Sequence, residues 1–344
     1  MRGGIEPGAA LSRRALLRAG VLLAVAAPLA AACTSQSAPP PPDPLRQLLT
    51  AATKEAATAK AAATAFTDNG PTLAVIAAVR LQQAKALRAE VNRAAGRPAN
   101  ATPTTPPTTT AAQPKLPDES TVTTQLLQGL ATAQRQAAAL MPKLPRYRTG
   151  LVGSVAAGCA SLAEALDSKP ITVTSATSAT PAPSGGTATL NGATTPSTPL
   201  AADTATALQH ALGAENAALW LYGTASAFVS GSVEAELDAA MNSVQNLRDA
   251  TGQRLSTGGV PPQPAQPAYL VPSPVTNQPT ALAALATAES DATVAWRSVL
   301  EHTNDRTLRA AALAALVDSA VRQTRWRRLS GRSPASVAMP GSVA

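Results

Sequence analysis

Aromatic side chains are scarce in this chain. They make up 2% of its 344 residues, although apolar residues as a whole make up 45%. The β-branched and aromatic runs that announce sheets are missing, and the apolar content comes mostly from Ala, Leu and Val, which favour close-packed helices. We therefore predict an all-α protein, whose length suits two modest domains better than one.

Histidine and cysteine are equally rare, with two of each. His210 and His302 stand near predicted helix ends, and neither belongs to a Glu-x-x-His motif. The sequence also contains no phosphate-binding glycine loop, no nucleophile elbow and no cysteine-rich metal motif. We therefore expect no catalytic residues and no cofactor.

The N-terminus has the pattern of an export signal. The basic stretch SRRALLR (residues 12–18) precedes an apolar run that is too short for a dependable transmembrane helix, and Cys33 follows it. SRRALL resembles a twin-arginine signal. LAAAC resembles a bacterial lipobox, whose cysteine is diacylated, although Leu29 lies one place further from the cysteine than is common. We predict a signal peptide over residues 1–32 and a palmitate-type anchor on Cys33; a plain secreted protein is the alternative.

Charge and the second cysteine fit a protein held at the extracytoplasmic face of the cell membrane. The net charge of +8 falls to +5 when residues 1–32, with four arginines and one glutamate, are removed. This small net positive charge is compatible with solubility or with weak attraction to anionic lipid. We therefore expect no nucleic-acid partner. Because Cys33 would be acylated, Cys159 has no disulfide partner, and its apolar surroundings predict a core residue.

Composition divides the mature chain into five segments. These are a Ser/Pro tether (33–43), a helix-rich block (44–168), a disordered Thr/Ser/Pro linker (169–203), a second helix-rich block (204–330) and a tail (331–344). Apolar periodicity and breaks at Gly and Pro predict four helices in each block. They span about 44–67, 72–95, 118–141 and 146–167, then about 203–229, 232–256, 279–302 and 305–329.

The link between the second and third helices of the second block is long and rich in proline. Its 22 residues, GGVPPQPAQPAYLVPSPVTNQP, can reach roughly 70 Å, whereas a helix of 20 residues is roughly 30 Å long. The link can therefore cross the whole bundle. One such crossover distinguishes ferritin-like bundles from simple up-and-down bundles.

The first block follows the same plan. Glu55 precedes Arg88 by 33 residues, as Glu215 precedes Arg248, and a leucine stands before each arginine. We therefore predict two similar bundles in tandem.

Five motifs of the second block occur in the order and with the gaps of a known family. They are AENAALWLYG, LRDA, YLVPSPV, AESDATVAW and DSAVRQTRW. With them the block resembles a ferritin-like domain family of unknown function found in actinobacterial proteins, many of them lipoproteins. The first block is more vaguely similar to the domain that often precedes it. The resemblance implies a four-helix bundle and no known activity.

Glu215 lies on the apolar stripe of its helix, as Glu289 does on the third helix of the block. A ferritin-like dinuclear metal site needs further ligands, with a Glu-x-x-His from each of two helices. Those ligands are missing, so we expect no metal site; Glu215 and Glu289 are the candidates if metal does bind.

Arginines stand where the missing ligands would lie. We predict a buried ion network of Glu215, Arg248, Glu289 and Arg322, because a guanidinium can neutralise a carboxylate inside an apolar bundle. Such a network fixes helix register without necessarily adding stability, and Glu215→Ala would cost roughly 3–5 kcal/mol by leaving an arginine unpaired.

A second arginine cluster lies at the end of the last predicted helix and the start of the tail. Arg322, Arg325, Arg327, Arg328 and Arg332 are typical of a solvated helix end, and phosphate, anionic lipid or nucleic acid are alternative ligands.

The leading hypothesis for function is a non-catalytic structural or interaction module of the cell envelope with an unidentified protein partner. A divergent metal-binding or oxidase bundle and a carrier of lipid or a small ligand are the alternatives.

Overall fold

A computed structural model describes residues 42–101, 116–166, 199–271 and 273–342. The predicted signal peptide, Cys33 and most of the predicted linker lie outside these ranges. Within them the secondary structure is helical and no strand occurs, which confirms the all-α prediction. The described residues from Asp43 onward form one compact unit.

The described ranges contain eight α-helices, four in each half, which lie close to the predicted positions. They are α1 (Arg46–Ala65), α2 (Gly70–Ala94), α3 (Glu119–Leu140), α4 (Arg146–Leu166), α5 (Ala202–Ala225), α6 (Glu234–Thr257), α7 (Gln278–His302) and α8 (Arg306–Leu329). Side-chain caps fix several starts, because they satisfy amides that have no partner within the helix. Asp118 accepts from Thr121 N at α3, Asn277 forms a capping box at α7, and Asp305 accepts from two amides at α8.

The direction of the C-terminal helices follows from contacts at their ends. Leu200 N, just before α5, donates to Gly258 O just after α6, at 3.2 Å. Thr204 Oγ1, near the start of α5, donates to the carbonyl oxygen of His302 at the end of α7. Because α5 is antiparallel to both α6 and α7, α6 and α7 are parallel, and the segment between them must run the length of the bundle. The predicted crossover is confirmed.

Helix α4 joins the two halves. It packs on α3 in its own half and on α7 and α8 in the other. Gly150 and Gly153 let the side chains of Glu301 and Leu300 approach its backbone, where a Cβ atom would collide with them. Among the described residues, α4 is the one helix long and apolar enough to cross a membrane, but 72% of its most apolar window is buried in the fold. Its position between the halves accounts for this composition.

The ends of the described chain are also part of the packing. Asp43, the last residue of the predicted tether, forms an ion pair with Arg148 of α4 at 2.6 Å. The predicted tail packs against both halves. In the N-terminal half, Gln83 Nε2 of α2 donates to Ala338 O at 2.9 Å and Ser154 Oγ of α4 donates to Pro340 O at 2.6 Å, and in the C-terminal half Arg297 Nη1 of α7 donates to Ser342 Oγ.

Candidate functional site

A buried ion pair lies at the centre of the C-terminal half. Arg322 Nε of α8 donates to Glu289 Oε1 of α7 at 2.7 Å, and Arg322 Nη2 donates to Glu289 Oε2 at 3.0 Å. Ser319 Oγ accepts a further bond from Nη2 at 3.1 Å. Although burial disfavours its charge, the carboxylate of Glu289 keeps the pKa of Arg322 above its usual value. The guanidinium is therefore charged and held in two-point contact.

Two aromatic side chains extend the polar contacts of this pair. Tyr222 Oη of α5 donates to Glu289 Oε1 at 2.6 Å and accepts from Trp326 Nε1 of α8 at 2.9 Å. The rings of Tyr222 and Trp326 meet edge to face, with centroids 6.2 Å apart. Burial and the charge of Glu289 raise the pKa of Tyr222 well above its usual value, so the hydroxyl keeps its proton and acts as the donor.

Glu215 lies next to this cluster but bonds an indole. Trp296 Nε1 of α7 donates to Glu215 Oε1 at 2.7 Å, and both side chains are buried. Burial raises the pKa of Glu215 to about 7, assisted by Glu289 and opposed by Trp296 and Arg322. Near neutral pH this carboxyl is therefore partly protonated.

Asp318 adds a third acid one turn before Arg322 on α8. Burial raises its pKa to about 6; Arg322 opposes the shift and the charge of Glu289 adds to it. The positive charge of Arg322 thus acts on three acidic side chains, and of these only Glu289 has a two-point contact with the guanidinium.

Arg248 is not part of the buried cluster, and the prediction that it belongs to the network was wrong. Its guanidinium lies at the surface of α6, where Nη2 is 2.6 Å from Asp249 Oδ1. Helix α6 packs mainly on α5, so one of its sides is open to solvent. A long arginine side chain at the edge of an apolar stripe can then direct its charge outward.

The N-terminal half contains its own buried ion pair. Arg80 Nε of α2 lies 2.8 Å from Glu55 Oε2 of α1, and Arg80 Nη1 donates to Gln83 Oε1 at 2.5 Å and to Cys159 Sγ at 3.0 Å. The partner of Glu55 is therefore Arg80, a residue that the sequence analysis did not single out. Burial raises the pKa of Cys159 to about 11, and the thiol is a protonated core group.

The donor set of the C-terminal cluster does not fit a ferritin-like metal centre. Both oxygens of Glu289 accept bonds from Arg322, whose fixed positive charge would repel a divalent ion. The histidines supply no ligand to the cluster, since His210 and His302 line a surface groove between α5 and α7. In the ranges given above, no three His, Cys, Asp or Glu side chains are grouped as metal ligands.

Sequence reasoning did not find the roles of Tyr222, Trp296 and Trp326. These residues lie on the apolar stripes of α5, α7 and α8, and that position predicts only that they pack in the core. The available signal was their polar atoms, since a buried hydroxyl or indole N–H needs a hydrogen-bond partner. A glutamate on the facing helix is the natural acceptor.

The fold and the cluster define an all-α helical-bundle protein with a buried ion pair in its C-terminal half. Residues 207–344 match the profile of the Domain of unknown function (DUF4439), and the C-terminal half belongs to that family. The chain is 32% identical to a conserved hypothetical protein, rv2844, from Mycobacterium tuberculosis, whose crystal structure is known. The match covers 38% of this chain and 98% of that chain, with a TM-score of 0.37. No curated protein matches the chain.

The resemblance of the second block to a domain family of unknown function is thereby confirmed. The vaguer likeness of the first block stays a prediction, as do the predicted domain boundaries.

Proposed function

We propose that this protein is a lipoprotein anchored through Cys33 at the extracytoplasmic face of the cell membrane. Its C-terminal bundle is a non-catalytic structural or interaction module for a protein partner in the envelope. The observation that carries the second part is the Glu289–Arg322 pair, in which a carboxylate suited to metal binding is committed to a guanidinium.

The contacts of Glu289 leave it little capacity for another partner. Oε1 accepts from Arg322 and Tyr222, and Oε2 accepts from Arg322. Metal binding would break these bonds and leave Arg322 buried without a counter-ion, at a cost of several kcal/mol. A pair of this kind supports a scaffold role, because it sets the register of α7 against α8.

The anchoring part of the proposal rests on the N-terminal sequence. A basic stretch, a short apolar run and LAAAC occur in the order that lipoprotein signals require. The fold adds one compatible feature: Asp43, the last residue of the predicted tether, forms an ion pair with Arg148 of α4.

A divergent metal-binding bundle is the second candidate. It is favoured by the proximity of three acids, since Glu289 influences the pKa of both Glu215 and Asp318. In that case the metal would have to compete with Arg322.

Metal content separates the two candidates. The full chain, purified in detergent, is incubated with Fe²⁺, Mn²⁺ or Zn²⁺, desalted and analysed by elemental mass spectrometry, with Glu289→Gln as the matched variant. We expect far less than one ion per chain in both proteins. One or two ions per chain, lost in Glu289→Gln, would establish the metal-binding alternative.

A further inference from the structure

A wide groove runs between α2 and the C-terminal segment, here residues 333–342, with α4, α7 and α8 contributing at its ends. Its volume is about 770 Å³, within the range of about 300–1,000 Å³ that is usual for ligand pockets. Most of the lining is aliphatic. The principal apolar residues are Val75, Ala78, Val79, Leu151, Val337 and Met339.

One cation at this groove lacks an acidic partner. Arg327 Nε donates to Ala335 O at 3.0 Å and Nη2 donates to Pro334 O at 2.9 Å, both in the C-terminal segment. No carboxylate in the described part of the chain lies within ion-pair distance of it, whereas its neighbours Arg325 and Arg328 both reach Glu164. Burial and repulsion from Arg332 lower the pKa of Arg327, as expected for a positive charge without compensation.

A buried hydroxyl lines the same groove. Ser336 is 3% exposed, and its Oγ has no hydrogen-bond partner within the described ranges. A buried polar atom left in this state costs about 1–3 kcal/mol, so its retention in a groove points to a partner that is supplied from outside.

Arg297 of α7 adds a second guanidinium to the lining. It bonds Glu301 Oε1 at 3.0 Å and also donates to Ser342 Oγ. With one carboxylate for two guanidinium groups, this part of the groove is positive, while its walls are aliphatic. The complementary ligand has a negative head and an alkyl chain.

We propose that this groove binds a long-chain carboxylate, with the alkyl chain along α2 and the head between Arg327 and Ser336. Arg327 Nη1 and the Ser336 hydroxyl provide two donors, which match the two oxygens of a carboxylate better than the three of a phosphate. The site does not depend on the proposed scaffold role, because it lies apart from Glu289 and Arg322.

Binding is measured by titration calorimetry on the full chain carrying Cys33→Ser, which removes the predicted acyl anchor. The probe is dodecanoate below its micellar concentration, compared with dodecyltrimethylammonium, dodecyl phosphate and inorganic phosphate. We expect one dodecanoate per chain and at least tenfold weaker binding of the cationic amphiphile. Equal affinity for both amphiphiles, preference for dodecyl phosphate, or binding of inorganic phosphate alone would overturn the proposal.

Two variants test the position of the site independently. Arg327→Gln removes the charge and should weaken dodecanoate binding at least tenfold, whereas Arg328→Gln, whose arginine pairs with Glu164, should not. Ala78→Trp fills the groove from an exposed position and should abolish binding, while Ala57→Trp, at an exposed position of α1, should not.

Circular dichroism confirms that each variant remains folded. Dodecanoate binding that survives Ala78→Trp, for instance at the apolar N-terminal run, places the ligand elsewhere and refutes the proposal.

Discussion

Arg322 and Glu289 meet across the interface of α7 and α8 in a two-point contact of 2.7 and 3.0 Å, and both side chains are buried. The pair holds α7 in register with α8 in the C-terminal half. Its energetic role can be tested because the two residues can be changed separately and together.

Arg322→Met should lower the free energy of unfolding by roughly 3–5 kcal/mol, because it leaves the Glu289 carboxylate buried and unpaired. The double variant Arg322→Met with Glu289→Gln should regain most of the loss, since glutamine is neutral and still accepts from Tyr222. Denaturant unfolding measures both, with Arg328→Met as the control. If the losses of the two single variants simply add up in the double variant, the two side chains are not energetically coupled.

Glu215 should make stability depend on pH. Its pKa is about 7 in the fold, against 4.5 for an ordinary glutamate, so between these pH values the folded chain holds a proton that the unfolded chain has released. The free energy of unfolding must then fall as pH rises from about 4.5 to 7, by up to about 3 kcal/mol from this group.

The free energy of unfolding, measured by denaturant titration at pH 5 and pH 8, checks this pH dependence. The pH dependence should be lost in Glu215→Gln, whereas Glu234→Gln, at an exposed position of α6, should keep it. Glu215→Ala should cost less than the 3–5 kcal/mol expected from the sequence, because Arg322 retains Glu289 as its partner. An unchanged pH dependence in Glu215→Gln would show that the carboxyl is ionised in the fold.

Cysteine reactivity should report on the C-terminal segment. Cys159 is fully buried, and Gly158 beside it lies against Ala338 O, where a Cβ would be 2.8 Å away. In the Cys33→Ser chain, iodoacetamide should therefore not label Cys159 until the protein is unfolded. Deletion of residues 333–344 should allow labelling under native conditions. Rapid labelling of the intact chain would mean that the segment does not protect this face.

Gly341 should be essential for seating that segment. Its φ is +78°, and a Cβ atom would lie 2.5 Å from Thr293 O. Gly331 has a similar φ of +76°, but a Cβ there would meet nothing within 4 Å. Gly331→Ala should cost only the backbone strain of about 1–2 kcal/mol. Gly341→Ala should in addition release the segment and accelerate hydrogen exchange in α2 and α4; equal effects of the two changes would argue against a seated segment.

The lipid anchor is tested by fractionation. Cys33→Ser should move the protein from the membrane fraction to the soluble fraction and abolish labelling by radioactive palmitate. Cys159→Ser, at the buried cysteine, should change neither result. A membrane-bound Cys33→Ser chain that remains unlabelled would point to retention by the uncleaved apolar run.

The fold was predictable because its determinants are local. Proline and glycine mark the breaks, and apolar stripes mark helices such as α5 and α7, while the length of one link allowed a crossover. The partners of long side chains are set by tertiary contacts that periodicity does not contain. Arg248 therefore lies at the surface although it follows an apolar stripe, and the Arg80 partner of Glu55 could not be read from the sequence.

The packing of α4 has a consequence during synthesis. This apolar helix is complete at residue 166, but its partner α8 ends at residue 329. At ordinary elongation rates of about 5–20 residues per second, on the order of ten seconds or more separate the two events. During that interval the side of this membrane-compatible helix that faces α7 and α8 is uncovered, and we expect the nascent chain to need a holding chaperone until α7 and α8 arrive.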